Sequence, residues 1–127
     1  PSMPDDLAAL DFCYLTTTGR VSGSPHRIEI WFVLVDEIVY LMAGDRDRSD
    51  WVRNLIITPD VELELGGRKR VTRARVVEDG SAEDALARRT MLEKYGNRDG
   101  GDLSTWGRTA LVVAVDWPGG VSYTSLI

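Results

Sequence analysis

The stretch Val61-Glu62-Leu63-Glu64-Leu65-Gly66-Gly67-Arg68 leaves little freedom to the chain that contains it. Apolar and acidic side chains alternate with the period of two that sends neighbours to opposite faces of a strand. The two glycines supply the positive φ that a two-residue hairpin turn demands. With Gly66-Gly67 as the turn and Arg68 to Val77 as the returning strand, Glu64 faces Lys69 and Glu62 faces Val71. Arg73 and Arg75 continue that wet face, while Val61, Leu63, Leu65, Ala74 and Val76 form the core side. The segment therefore demands an antiparallel sheet with one buried face.

The rest of the chain supplies partners for it. Asp5 to Leu10 reads as a short opening helix with acids in its first turn, and Phe12 to Thr18 as a strand that runs into the turn formers Gly19 to Pro25. His26 to Val35 predicts one strand, with Ile28, Ile30, Phe32 and Leu34 on one face and Arg27, Glu29 and Trp31 on the other. Asp36-Glu37 turns it into a third strand, Ile38 to Met42. Ser49 is suited to N-cap a helix through Trp51, Val52, Leu55 and Ile56, which Pro59 confines to about two turns. Ser81-Ala82-Glu83-Asp84 has the form of a capping box for a helix to Tyr95, with Ala82, Ala85, Leu86, Leu92 and Tyr95 inward and Gly96 as its stop. Asn97 to Asp102 is a glycine-rich charged loop, and Arg108 to Trp117 a last apolar strand. Six strands in hairpin-like succession, without regular alternation of strand and helix, predict a small antiparallel barrel. The chain is then mainly β with a few helices, as a single domain over residues 1–127.

Charge and composition remove several functions. A net charge of -5 leaves no general surplus of cations for nucleic acid. The longest apolar run, Ile30 to Val35, is too short to cross a bilayer, and the N-terminal residues lack a secretion signal, so a cytoplasmic protein is expected. His26 is the only histidine and Cys13 the only cysteine, which leaves no soft-ligand cluster for a metal and no intramolecular disulfide. Cys13, within apolar Leu10 to Leu15, reads as a buried hydrophobe, and a Ser-His-Asp site would depend on His26 alone.

An anion site remains open. Thirteen of the fifteen basic residues are arginines, whose forked guanidinium suits phosphate and carboxylate; an arginine-rich codon bias explains the count equally well. Thr16-Thr17-Thr18-Gly19-Arg20-Val21-Ser22-Gly23 gathers hydroxyls, glycine-freed amides and a guanidinium within eight residues. The helix at Asp50-Trp51-Val52-Arg53-Asn54-Leu55 sets Trp51, Asn54 and Leu55 on one side. Taken singly, Trp51 is as compatible with the core as with a site, and His26 with capping a strand.

In series these segments resemble the deazaflavin-dependent nitroreductase family. Leu15 to His26 followed by Ile30-Trp31-Phe32 is similar to its opening motif. Asp50 to Leu55, Pro59-Asp60-Val61, Gly66-Gly67-Arg68, Ala74 to Val77 and a final strand from Trp106 to Val113 follow in its order. The resemblance implies a split β-barrel like that of flavin reductases and pyridoxamine-phosphate oxidases, binding coenzyme F420, with FMN as second choice. It implies that Arg20, Ser22, Gly23 and His26 hold the phosphate-bearing tail. Trp51 and Asn54 are then assigned to the ring region and Met42, Ala43 and Gly44 to the ring's edge, with Trp31, Ser49 and Asp50 as further cofactor-binding residues. The implied activity is hydride transfer to an electron-poor organic acceptor such as an activated alkene, quinone or nitro compound. A non-catalytic carrier of the same fold is the alternative, and a homodimer is implied by analogy. The chain departs from the pattern at Val21, where a cation is common, and at Asn97 to Leu103, which holds no tyrosine and speaks against nitroimidazole activation. No general acid stands out; Tyr95, Ser49 or water could protonate the product.

Overall fold

The computed structural model describes residues 7–96 and 104–118. Its strands are β1 (Cys13–Thr18), β2 (Pro25–Ile30), β3 (Val33–Val35), β4 (Ile38–Ala43), β5 (Asp60–Leu65), β6 (Arg68–Val76) and β7 (Leu111–Asp116). They form one antiparallel array in the order β2-β1-β5-β6-β7-β4-β3. The helices are α1 (Asp50–Ile57), α2 (Ala82–Tyr95) and α3 (Ser104–Thr109), with 3-10 turns at Leu7–Ala9 and Arg46–Arg48. The first of those turns stands where the opening helix was expected; Asp5 and Asp6 lie outside the described residues.

The hairpin forms as its alternation requires. Glu64 pairs with Lys69 and Glu62 with Val71, around Gly66 and Gly67 at φ +59° and +81°. Val61, Leu63, Leu65 and Ala74 are buried, but Val76 is 38% exposed. It is the last residue of β6, and the neighbouring Val77 is buried instead, its N–H donating to the Val112 carbonyl at 2.9 Å.

Two cores share the sheet. Leu15, Leu63, Val39, Leu41, Val113 and Trp117 belong to the first, and Tyr40, Met42, Val112 and Ala114 to the second, together with Ala87, Met91 and Tyr95 of α2. Strands β4 and β7 thus bury alternate side chains on both faces, which is why they read as nearly unbroken apolar runs, whereas β1 and β5 alternate buried and half-buried residues. The buried stripe of α2 is Asp84, Ala87, Met91 and Tyr95, at helical spacing. Ala82 and Ala85 are exposed rather than inward, and Leu86 and Leu92 only half-buried.

The expected strand His26 to Val35 is divided into β2 and β3, which stand at opposite ends of the array, so there are seven strands rather than six. Tyr95 makes the break. The Phe32 N–H donates to the buried Tyr95 Oη at 3.2 Å, and that hydroxyl also lies 3.0 Å from the Phe32 carbonyl and 2.8 Å from the Asp11 carbonyl. Lys94 Nζ donates to the Phe32 and Leu10 carbonyls at 3.0 and 2.6 Å. With its polar groups satisfied by α2, Phe32 needs no strand partner. The chain from Trp106 was expected to be a final strand; Ser104–Thr109 is helix α3, and the strand starts only at Leu111.

Candidate functional site

The link between β1 and β2 closes on itself. The Gly19 N–H donates to the Ser24 carbonyl and the Gly23 N–H to the Gly19 carbonyl, both at 2.8 Å, and the Ser24 N–H donates to Ser22 Oγ at 3.1 Å. A Cβ placed on Gly19 would stand 2.7 Å from His26 Nε2 and 2.9 Å from Ser22 Oγ, so a glycine is what lets the imidazole and the hydroxyl close over this backbone.

Asn54 of α1 fixes the arginine of that loop. It is 3% exposed; its amide donates to Thr17 Oγ1 at 3.1 Å, and its Oδ1 accepts from the Arg20 N–H at 3.1 Å and from Arg20 Nη1 at 2.9 Å. The other arm, Nη2, reaches Asp50 Oδ1 at 3.2 Å. Pinned at its backbone and one nitrogen, the guanidinium lines a cleft of about 480 Å³ with Ser22, His26, Asp50, Trp51 and Asn54. A hydroxyl, an imidazole and an oriented guanidinium around one concavity suit a phosphate-bearing ligand.

A second cleft of about 430 Å³ is aromatic. Phe12, Glu29, Ile30, Trp31, Met42 and Trp106 line it. Trp31 stacks on Tyr95 at 4.3 Å with ring planes 3° apart and meets Trp106 edge-on at 5.8 Å. Strand β2 connects the two clefts: His26, Arg27 and Ile28 line the first, Glu29 and Ile30 the second.

The structure therefore gathers Arg20, Ser22, His26, Asp50, Trp51 and Asn54 in one place and Trp31 with Met42 in another. Gly44 lies beside the second, where an added Cβ would be 3.6 Å from Trp106 Cδ1. Ala43 is 2% exposed within the barrel core and lines neither cleft. Gly23 lines a separate groove with Thr16, Thr18 and Pro25, and its φ of +75° marks a turn. Ser49 is the N-cap of α1, without a side-chain capping bond. The Tyr95 hydroxyl is buried and bonded to backbone groups, so it is no proton donor to a ligand. Sequence reasoning counted Thr17 among the loop hydroxyls but missed it as the support under Asn54, and it missed Trp106 as a cleft wall. Buried Thr17 at a β1 position facing the core was the one available signal.

Glu83 and Cys13 lie away from both clefts. The Arg75 guanidinium donates to both Glu83 oxygens at 2.8 and 2.7 Å, and with the Tyr40 hydroxyl holds that carboxyl down at about 2. Burial raises the Cys13 thiol to about 12, against a small opposing pull from Lys94. Among the described residues no group of histidine, cysteine, aspartate and glutamate could hold a metal, and no helix is long and apolar enough to cross a membrane.

A family model described as F420H2-dependent quinone reductase matches residues 3–118. No curated protein matches the chain. Among solved structures, an F420-H2 dependent reductase, FDR-A, superposes with a TM-score of 0.69 at 21% identity, over 84% of this chain and 94% of that one. An F420 reductase gives 0.63 at 15% identity, over 91% and 94%. The heme storage protein HutZ from Vibrio cholerae gives 0.68 at 16% identity, over 84% and 80%. At such identities these likenesses concern the fold, which is the split β-barrel expected from the sequence.

Proposed function

The chain belongs to the F420H2-dependent quinone reductase family and is an oxidoreductase that uses reduced F420; we propose that it delivers the hydride to a quinone held in the aromatic cleft, with the cofactor's anionic tail at Arg20. The nitroreductase name of the sequence resemblance is looser than the matched family. Reduced F420 supplies the hydride when bound, and the protein's contribution is orientation and the exclusion of water. Arg20 presents a guanidinium fixed by Asn54, with Ser22 and His26 around it as further polar partners. Trp31, backed by Tyr95, and Trp106 offer flat apolar walls to a planar acceptor.

The observation that carries the quinone reading is the poverty of acids beside those walls. Among the described residues lining the aromatic cleft, Glu29 is the one carboxylate, and it accepts the Tyr14 hydroxyl at 2.8 Å. Reduction of an activated alkene ends with a proton on carbon, which calls for a placed acid. A reduced quinone carries its charge on oxygen, where water protonates it quickly. The expected homodimer and cytoplasmic location belong to this proposal.

The test is anaerobic oxidation of reduced F420 by the purified protein with a naphthoquinone, an activated alkene and a nitroarene in turn. The naphthoquinone should be turned over fastest. F420 binding without turnover of any acceptor would identify a carrier, and tight binding of FMN alone would overturn the cofactor assignment at Arg20.

A further inference from the structure

Arg20 already holds a carboxylate. Its Nη2 lies 3.2 Å from Asp50 Oδ1, inside the cleft proposed for the cofactor's tail. The two partners are held very differently. The Arg20 side chain is 28% exposed and is fixed through Asn54, whereas the Asp50 side chain is 84% exposed. Asp50 opens α1, so its charge favours the helix from the first turn without needing the arginine.

We propose that Asp50 is a resident counter-ion, a side chain that occupies one arm of Arg20 in the empty protein and is displaced when a phosphate arrives. This rests on the placement of the tail at Arg20. The other arm and the Arg20 N–H stay on Asn54, so displacement leaves the guanidinium in position. Asp50 then sets affinity by competition: every anion that binds must replace it and must tolerate a carboxylate nearby. A weakly held monoanion does so poorly, and a ligand with several negative groups or further contacts does so readily. The residue is thus a specificity determinant for the cofactor site, not a contact that strengthens binding.

The experiment is titration with F420, followed by tryptophan fluorescence because Trp51 lines the cleft. Wild type, Asp50→Asn, Arg20→Ala and the double variant are compared, with Asp47→Asn as a control. Asp47 is an exposed carboxylate on the adjoining groove with Arg20 and Arg53. Asp50→Asn should lower the Kd by about twofold to fivefold, the range an exposed ion pair is worth. Asp47→Asn should lower it less, and in the Arg20→Ala background Asp50→Asn should lower it no more than Asp47→Asn does. Unchanged or weaker binding by Asp50→Asn, or the same gain with Arg20 absent, would overturn the proposal while leaving the cofactor assignment intact. Failure of the wild type to bind F420 would overturn both.

Discussion

At the scale of single residues, position decides what each polar group can do. Arg20 meets Asn54 because the amide of a buried asparagine can accept two donors and still donate to Thr17. Truncation of Arg20 to alanine should weaken F420 binding by about 1.5 to 3 kcal/mol, the value of a charge-assisted bond, and calorimetric titration reads this directly. Gly19 separates binding from stability. The atoms a Cβ would meet at 2.7 and 2.9 Å are the ends of the His26 and Ser22 side chains, which can swing aside. Gly19→Ala should cost about 1 kcal/mol or less of stability, the scale of one displaced rotamer, yet impair tail binding. Equal binding by that variant would remove His26 and Ser22 from the site. Cys13 is fully buried and its thiol is raised to about 12 by desolvation. Ellman's reagent should therefore label it at pH 8 only when the protein is unfolded.

The elements show which parts of the fold local pattern can reveal. The hairpin of β5 and β6 was legible to the register because alternation, turn and cross-strand charge all lie within a short span. The break between β2 and β3 was not, since apolar alternation continues through Trp31 and Phe32 while its cause is a tyrosine 63 residues later. The same holds for the two clefts. The anion loop is contiguous and could be read from Thr16 to His26, with only Asn54 and its neighbours supplied by α1. The aromatic cleft takes Trp31, Met42 and Trp106 from three separate parts of the chain, and the helix bearing Trp106 was hidden by the apolar run that follows it.

One clip between elements has a pH signature. Glu83 of α2 joins Arg75 of β6 and Tyr40 of β4, and its carboxyl is lowered from 4.5 to about 2, first by the Arg75 hydrogen bonds. A folded-state value below the unfolded one adds stability that is complete above the usual carboxylate range and is lost as pH falls through the folded value. Chemical denaturation should show wild-type stability declining between pH 4.5 and about 2. Glu83→Gln should be less stable at neutral pH and flatter over that interval. Parallel acid limbs for the two proteins would remove the clip from the account.

Over the whole molecule, a sheet buried on both faces in its β4 and β7 strands gives a stiff support, and β2 runs along it between a polar cleft and an aromatic one. The chain is acidic overall, at -5, so attraction for an anionic ligand has to be local, and in the proposed function Arg20 is the group that supplies it. In the proposed placement, one elongated cofactor is gripped by its charge at the polar cleft while its ring meets the acceptor at the aromatic one. The most direct measurement is a crystal structure of the protein with F420. Arg20 should have left Asp50 for a phosphate oxygen at hydrogen-bond distance, still tied to Asn54, with the deazaflavin reaching the aromatic cleft and leaving its Trp31 and Trp106 walls to the acceptor. A tail bound elsewhere, with the Arg20–Asp50 pair unbroken, would contradict the account.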